Sequence, residues 1–487
     1  MNAHNYSNHF KKYLFLVTFF LSLGSAAQKR GKATNGGKYP NVVFILADDL
    51  GYGDLGCYGQ EKIETPNIDR LAAGGMKFTQ FYAGTSVCAP SRASLLTGLH
   101  TGHTAVRGNL EIEPEGQLPI PDSAFTMAEL FKEKGYTTGA FGKWGLGYPG
   151  SEGVPEKQGF DQFYGYNCQR QSHNYFPDHL WKNDQRINLS NTLTHQVQYA
   201  PDLIQQQALS FVEANQHNPF FLYLAYTLPH AGLQLPEGDK VFEAYKKKFN
   251  EQPKKVSQTW NGVGYQPQAY PHAAYAAMVT KLDEYVGEVV ARLKSLGLDK
   301  NTLIVFTSDN GPHREGGNTP EFFDSNADLK GIKRDLTEGG IRVPMIAYWP
   351  TKIKANKVVD QAGAFWDFMP TFSQLIKEPL PVKTDGISLV PTLQSKSKRK
   401  QKQHDYLYWE FHEDGGRQAV RMGNWKAVRE GVMKNPGGPI ALYDLSTDPS
   451  EKNNVAAQHP EVVEQMKTIM QEAHVENKSF PFIKKSF

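Results

Sequence analysis

The chain has 487 residues, 39% hydrophobic and 21% charged, a composition that excludes disorder and leaves room for one large domain and a smaller one. Lys and Arg number 53 against 50 Asp and Glu, and a net charge of +3 excludes the strongly basic surface of a dedicated nucleic-acid binder. Three cysteines exclude a disulfide scaffold and leave at least one thiol unpaired.

Residues 1–27 read as a secretory signal. Lys11 and Lys12 precede an apolar run over 13–24, and Ser25-Ala26-Ala27 supplies the small residues that cleavage needs. That run is short for a bilayer span, no later segment reaches 18 uninterrupted apolar residues, and no lipobox-like cysteine marks the cleavage site. The expectation is a periplasmic or secreted protein, cleaved near Ala27, with no stable membrane anchor; an uncleaved anchor is the alternative. Residues 41–47 (NVVFILA) are a continuous apolar run, as expected of a strand covered on both faces. Thr65-Pro66 predicts a helix start by N-cap and first-turn proline, and Gly74-Gly75 its end. Thr126 with Glu129 predicts a capping box, followed by a strand over 136–141. Residues 220–226 and 303–307 read as two more buried strands, and 273–296 as a long amphipathic helix between them.

This alternation predicts an α/β fold around a large, mostly parallel sheet. The texture changes after about residue 385, giving an expected catalytic domain over 39–385 and a C-terminal α+β subdomain over 386–487. Lysine-rich residues 394–403 read as a solvated linker. Short strands are expected over 406–411, 418–428 and 441–445, and a helix over 461–474.

Polar residues follow each buried strand: Asp48-Asp49, Lys143, His230 and Asp309-Asn310. In open α/β sheets ligands bind outside the carboxyl ends of strands, so four strands deliver ionisable groups to one edge. Asp48, Asp49, Asp309 and Asn310 offer only oxygen donors, the set calcium prefers, although turns and N-caps use the same residues. Left unpaired, adjacent carboxylates would repel and raise each other's pKa. Residues 88–98 (CAPSRASLLTG) place Cys88 at a predicted helix start with Arg92 four residues on, a favourable setting for an anion. A small buried cysteine before a capped helix is the structural alternative.

These residues resemble the formylglycine-dependent sulfatase family, on the alkaline-phosphatase-like fold. Cys88-Ala89-Pro90-Ser91-Arg92 is similar to the family's Cys-x-Pro-x-Arg signature, extended by Leu95-Leu96-Thr97-Gly98. Gly142-Lys143-Trp144, Thr307 to Gly311, Lys333 with Glu338 to Pro344, Asp385 to Leu389 and Leu442 to Leu445 resemble its later motifs, covering about 39–475. The resemblance implies that a maturation enzyme oxidises Cys88 to formylglycine (3-oxoalanine), whose hydrated aldehyde attacks sulfur. It implies calcium held by Asp48, Asp49, Asp309, Asn310 and the modified Cys88. It also implies that Arg92 stabilises the diol, Lys143 and Lys333 bind sulfate oxygens, and His230 protonates the leaving oxygen.

Many members carry histidine where this chain has Gly145, and His103, His173 or solvent are the candidate substitutes. Residues 169–177 and 103–109 mix aromatic and hydrogen-bonding side chains, so His103, Arg107, Arg170 and His173 are candidate sugar-binding residues. The expected reaction is hydrolysis of a carbohydrate sulfate ester. A phosphodiesterase or phosphonate hydrolase of the same fold, or a non-catalytic sulfated-glycan-binding protein, are the alternatives.

Overall fold

The computed structural model describes residues 39–256, 260–394 and 400–482. The signal reading of 1–27 and residues 395–399 of the lysine-rich stretch lie outside them. No helix among the described residues is long and apolar enough to cross a membrane.

The core is a ten-stranded sheet. Its centre runs Thr302–Ser308, Asn41–Ala47, Phe220–Ala225, Thr137–Lys143 and Gln162–Tyr166, each parallel to its neighbour. These are the strands the apolar runs predicted, joined by Gln162–Tyr166, and the alternation of their side chains explains why the runs are continuous. Val43, Ile45 and Ala47 face one apolar layer, while Val42, Phe44 and Leu46 face the other. Ala200–Ala214 and Pro271–Ser295 cover the first layer. Cys88–Thr97, Met127–Glu133 and Phe368–Ile376 cover the second, where Phe131 stacks on Phe221 at 4.3 Å. Fully burying each such side chain contributes about 1.5–3 kcal/mol, which holds the strand ends in fixed positions.

The capping box forms as expected: Thr126 Oγ1 accepts from Glu129 N at 3.2 Å, and Glu129 Oε2 accepts from Thr126 N at 2.7 Å. The Thr65 expectation is corrected. The helix Pro66–Gly74 begins with proline, but Thr65 makes no side-chain cap, because its hydroxyl accepts from Gly56 N and bonds Asp69.

Beyond the central strands, His179–Lys182 and Gln185–Asn188 extend one edge antiparallel, and Met345–Tyr348 joins the other side antiparallel. A separate four-stranded antiparallel sheet comprises Leu407–Phe411, Arg417–Met422, Trp425–Glu430 and Ile440–Asp444. The single strand expected over 418–428 is thus a hairpin, turning at Gly423 in the left-handed region. Pro460–Glu472 lays Val462, Met466 and Met470 against Val420, Ala427 and Leu442 of this sheet. Its other face packs Trp409 and Phe411 with Tyr82, Val87 and Trp366, just before the helix that starts at Cys88.

Candidate active site

Register creates the site. Ala47 lies opposite Ser308, so Asp48-Asp49 and Asp309-Asn310 leave the sheet side by side. Asp49 takes a left-handed φ of 63°, which aspartate tolerates better than most residues. Its N–H then reaches Asp309 Oδ1 at 3.1 Å, while Leu50 N reaches Ser308 Oγ at 3.0 Å.

Cys88 opens the wholly buried helix Cys88–Thr97, and its Sγ lies 3.4 Å from Asp48 Oδ1. One turn on, Arg92 donates from Nε and Nη2 to Asp309 Oδ2 at 3.1 and 2.8 Å, and from Nη1 to Lys143 O at 2.8 Å. Lys143 Nζ donates to Asp48 Oδ2 at 2.7 Å. Lys333 Nζ donates to Asp49 Oδ2 at 2.8 Å and lies 3.0 Å from His230 Nε2. Each carboxylate therefore has its own cation: Asp309 with Arg92, Asp48 with Lys143, Asp49 with Lys333. The mutual repulsion expected of the acids is offset by these pairs.

Burial pushes the Asp48 carboxyl up, but the cations Lys143, Arg92 and Lys333 outweigh it and hold it well below the usual range. Burial and the charge of Asp48 push Asp309 up to about 6 against the pull of Arg92. Burial and Asp48 also push the Cys88 thiol well above its ordinary value. An unmodified Cys88 is thus a protonated thiol, inert as a nucleophile. Burial and Lys333 push His230 well below the ordinary imidazole value, so its ring is neutral and accepts from Lys333.

The carboxylates at this site suit a hard cation, although the cluster they form also includes one sulfur and one imidazole nitrogen. Asp48, Asp49, Cys88 and His230 each offer an atom within 4.8 Å of the others. Asn310 supplies an independent sign: its Nδ2 donates to Asp49 Oδ1 at 2.7 Å and to Gly311 O at 2.9 Å, leaving a buried Oδ1 with no partner among the described residues. Such an acceptor costs about 1–3 kcal/mol unless something meets it, and a calcium ion beside three carboxylates would.

A cavity of about 1040 Å³ opens over Cys88, His230 and Lys333. His173 lines it, its ring stacked on His230 at 4.7 Å and 8°, with Tyr265 5.0 Å away. Arg170 also lines it, but is held by Glu111 and Glu113. The structure does not bring His103 or Arg107 to this cavity. His103 bonds Asp385 at 2.9 Å and stacks on His100, and Arg107 is buried in an ion pair with Glu410 at 3.1 Å. Of residues 103–109, Asn109 is the one that lines the cavity. Sequence reasoning also missed Trp260 and Tyr265, which carry no motif, and His313, whose ring lies 5.9 Å from His230. His313 stands four residues after Asp309 in the same post-strand loop, and that position was its signal.

The sulfatase family matches residues 40–378, and the C-terminal part of N-sulphoglucosamine sulphohydrolase matches 332–476. The chain is 34% identical to arylsulfatase A of Homo sapiens, an alignment covering 88% of this chain and 87% of that protein. It is 30% identical to the N-acetylgalactosamine-6-O-sulfatase of Bacteroides thetaiotaomicron, over 89% of this chain and 92% of that one. The crystal structure of Ps i-CgsB with k-i-k-neocarrahexaose superposes with a TM-score of 0.73 at 30% identity, over 89% of this chain and 92% of that one.

Proposed function

The chain belongs to the sulfatase family, and from that premise we propose that it hydrolyses a sulfate ester on a sulfated carbohydrate, with Cys88 matured to formylglycine and calcium bound beside it. One observation carries the mechanism: position 88, protonated and unreactive as a thiol, sits where the carboxylates, Arg92 and the open cavity meet. Asp48, Asp49, Asp309 and Asn310 would hold calcium with residue 88, as the unpartnered Asn310 Oδ1 supports. Formylglycine supplies a hydrated-aldehyde hydroxyl as nucleophile, and calcium supplies hard positive charge for the sulfate oxygens.

The chain's own residues do the rest. Arg92 fixes Asp309 through two N–H groups and ties it to the strand end at Lys143. Lys143 and Lys333 place two ammonium groups where negative charge develops on the sulfate. His230 Nε2 is held by Lys333 Nζ and is unprotonated in the free site; with an anionic sulfate bound beside it, Nε2 would take up a proton and pass it to the leaving sugar oxygen. His173, stacked on His230, and Tyr265 offer flat surfaces for a sugar ring, with Arg170 at hand in the same cavity. The named activity of the N-acetylgalactosamine-6-O-sulfatase and the oligosaccharide bound by Ps i-CgsB support a carbohydrate. The signal-like residues 1–27 support export to the periplasm or beyond.

Mass spectrometry of the Cys88 peptide, from protein made with a formylglycine-generating enzyme, tests the nucleophile. The expected result is a mass lowered by conversion of thiol to aldehyde. A thiol in fully active protein would overturn the mechanism, and a thiol in inactive protein matured alongside a working control would favour a glycan-binding role.

A further inference from the structure

We propose that Asn109 and Gln169 form a hydroxyl-reading pair that binds the sugar hydroxyl next to the sulfate ester; this rests on the carbohydrate reading above. The argument starts at the backbone. Ala89 is bonded to Cys88 in the first turn of its helix, where N–H groups have no intrahelical acceptor. Ala89 N donates to Asn109 Oδ1 at 3.1 Å. A backbone N–H can face only the oxygen of an amide, so Asn109 must turn its Nδ2 elsewhere. The same Oδ1 accepts from Gln169 Nε2 at 3.1 Å. That bond settles the second amide too: its nitrogen faces Asn109, and its Oε1 is left over.

Asn109 Nδ2 and Gln169 Oε1 have no partner among the described residues, and both residues line the cavity that Cys88 lines. Gln169 is buried and anchored, its N–H donating to Gln117 Oε1 at 2.8 Å and its carbonyl accepting from Ser172 Oγ. The pair thus offers one fixed donor and one fixed acceptor, both neutral. A hydroxyl, itself a donor and an acceptor, matches both, whereas a carboxylate would match only one.

Gly145 makes this arrangement possible. Its φ of +76° disfavours any side chain, and a Cβ there would lie 2.9 Å from Gln169 Cγ and 3.1 Å from Gln169 Nε2. The position where the family resemblance expects histidine is therefore empty of side chain, and Gln169 fills the space. The departure from the motif and the amide pair are one feature.

The test compares kcat/KM on a sugar sulfate that the wild type cleaves with kcat/KM on 4-nitrophenyl sulfate, which has no neighbouring hydroxyl. In Asn109→Ala and Gln169→Leu the sugar-to-aryl ratio is expected to fall about ten-fold or more, the loss of one or two hydrogen bonds. A sugar sulfate lacking the neighbouring hydroxyl should bring the wild type down to the variants and cost the variants nothing further. An unchanged ratio in variants of a wild type that cleaves the sugar sulfate would overturn the pair alone. So would an equal fall on both substrates, which would make the amides a support for Cys88. A wild type that cleaves the aryl sulfate and no sugar sulfate would overturn the carbohydrate reading and the pair with it.

Discussion

Cys88 is 2% exposed and makes one contact short enough to matter, to Asp48. Replacing it with alanine removes a single sulfur from the buried first turn of a helix whose other nine residues stay packed. Cys88→Ala is therefore expected to keep a melting curve close to that of the wild type and to release no sulfate. More than trace turnover in the purified variant would contradict the assignment of the nucleophile. Lys333 tests the neighbouring step. Its ammonium bridges Asp49 and His230, which also lie 3.3 Å apart, so Lys333→Ala removes both the proposed sulfate-binding charge and a close partner of the imidazole. Loss of one such preorganised charge costs about 10²–10³ in kcat where it acts on the transition state. A steady-state comparison in which Lys333→Ala changed KM alone would reduce Lys333 to substrate binding.

At the scale of elements, the helix Cys88–Thr97 has to end abruptly for residues 99–109 to turn back toward the cavity. Gly98 does this at φ +70°, and a Cβ there would meet Met369 Cβ at 2.7 Å. Gly98→Ala is expected to destabilise by about 1 kcal/mol from backbone strain, with overpacking adding about 1–3 kcal/mol, as read by urea unfolding. A change within error would mean that Met369 and its helix yield freely. This helix and the central strands were legible in the sequence because their signals are local: runs buried on both faces, a first-turn proline, a closing glycine. Asp48, Asp49, Asp309 and Asn310 were legible because they follow directly from those strands. The edge strands His179–Lys182 and Gln185–Asn188 were not, since the second of them buries almost nothing and shows no alternation. Asn109 and Gln169 lay in the two loops singled out for sugar binding but were not picked out within them, and Tyr265 lay in neither, because irregular loops carry no period and their meeting over Cys88 is fixed by contacts distant in sequence. Arg107 misled for the opposite reason: an arginine in a polar loop reads as a ligand contact, and nothing local showed that Glu410, 303 residues on, would bury it.

On the scale of the whole molecule, Glu410 joins distant parts of the chain. Its carboxylate accepts from Arg107 at 3.1 Å and from Tyr408 at 2.8 Å and bonds His412 at 2.8 Å and His474 at 2.7 Å, while its own N–H donates to Thr101 Oγ1 at 2.6 Å. Burial alone would raise its pKa; the bonds to His412 and His474 and the charge of Arg107 reverse that and hold it down to about 2. A carboxyl lowered from 4.5 stabilises the fold above pH 4.5, and that contribution, of about 3 kcal/mol, is lost as pH falls from 4.5 toward 2. Glu410→Gln should lower the melting temperature at neutral pH and flatten the acid limb over that window; an unchanged acid limb would show the pair network to be energetically idle. Calcium acts at the same scale. Because each site carboxylate already has a cation, chelated protein is expected to stay folded but inactive, and added calcium should raise the melting temperature, by the equivalent of about 2.7 kcal/mol at a hundred times its Kd. Verified metal-free protein with full activity and an unmoved melting curve would contradict the metal site. The most direct measurement of the central claim is inorganic sulfate released from a panel of defined sugar sulfates by protein carrying formylglycine at position 88, with phosphodiester and phosphonate analogues alongside. The account predicts sulfate from at least one sugar sulfate at rates well above cleavage of either analogue. Release from none of them, or preferential cleavage of a phosphorus ester, would contradict it.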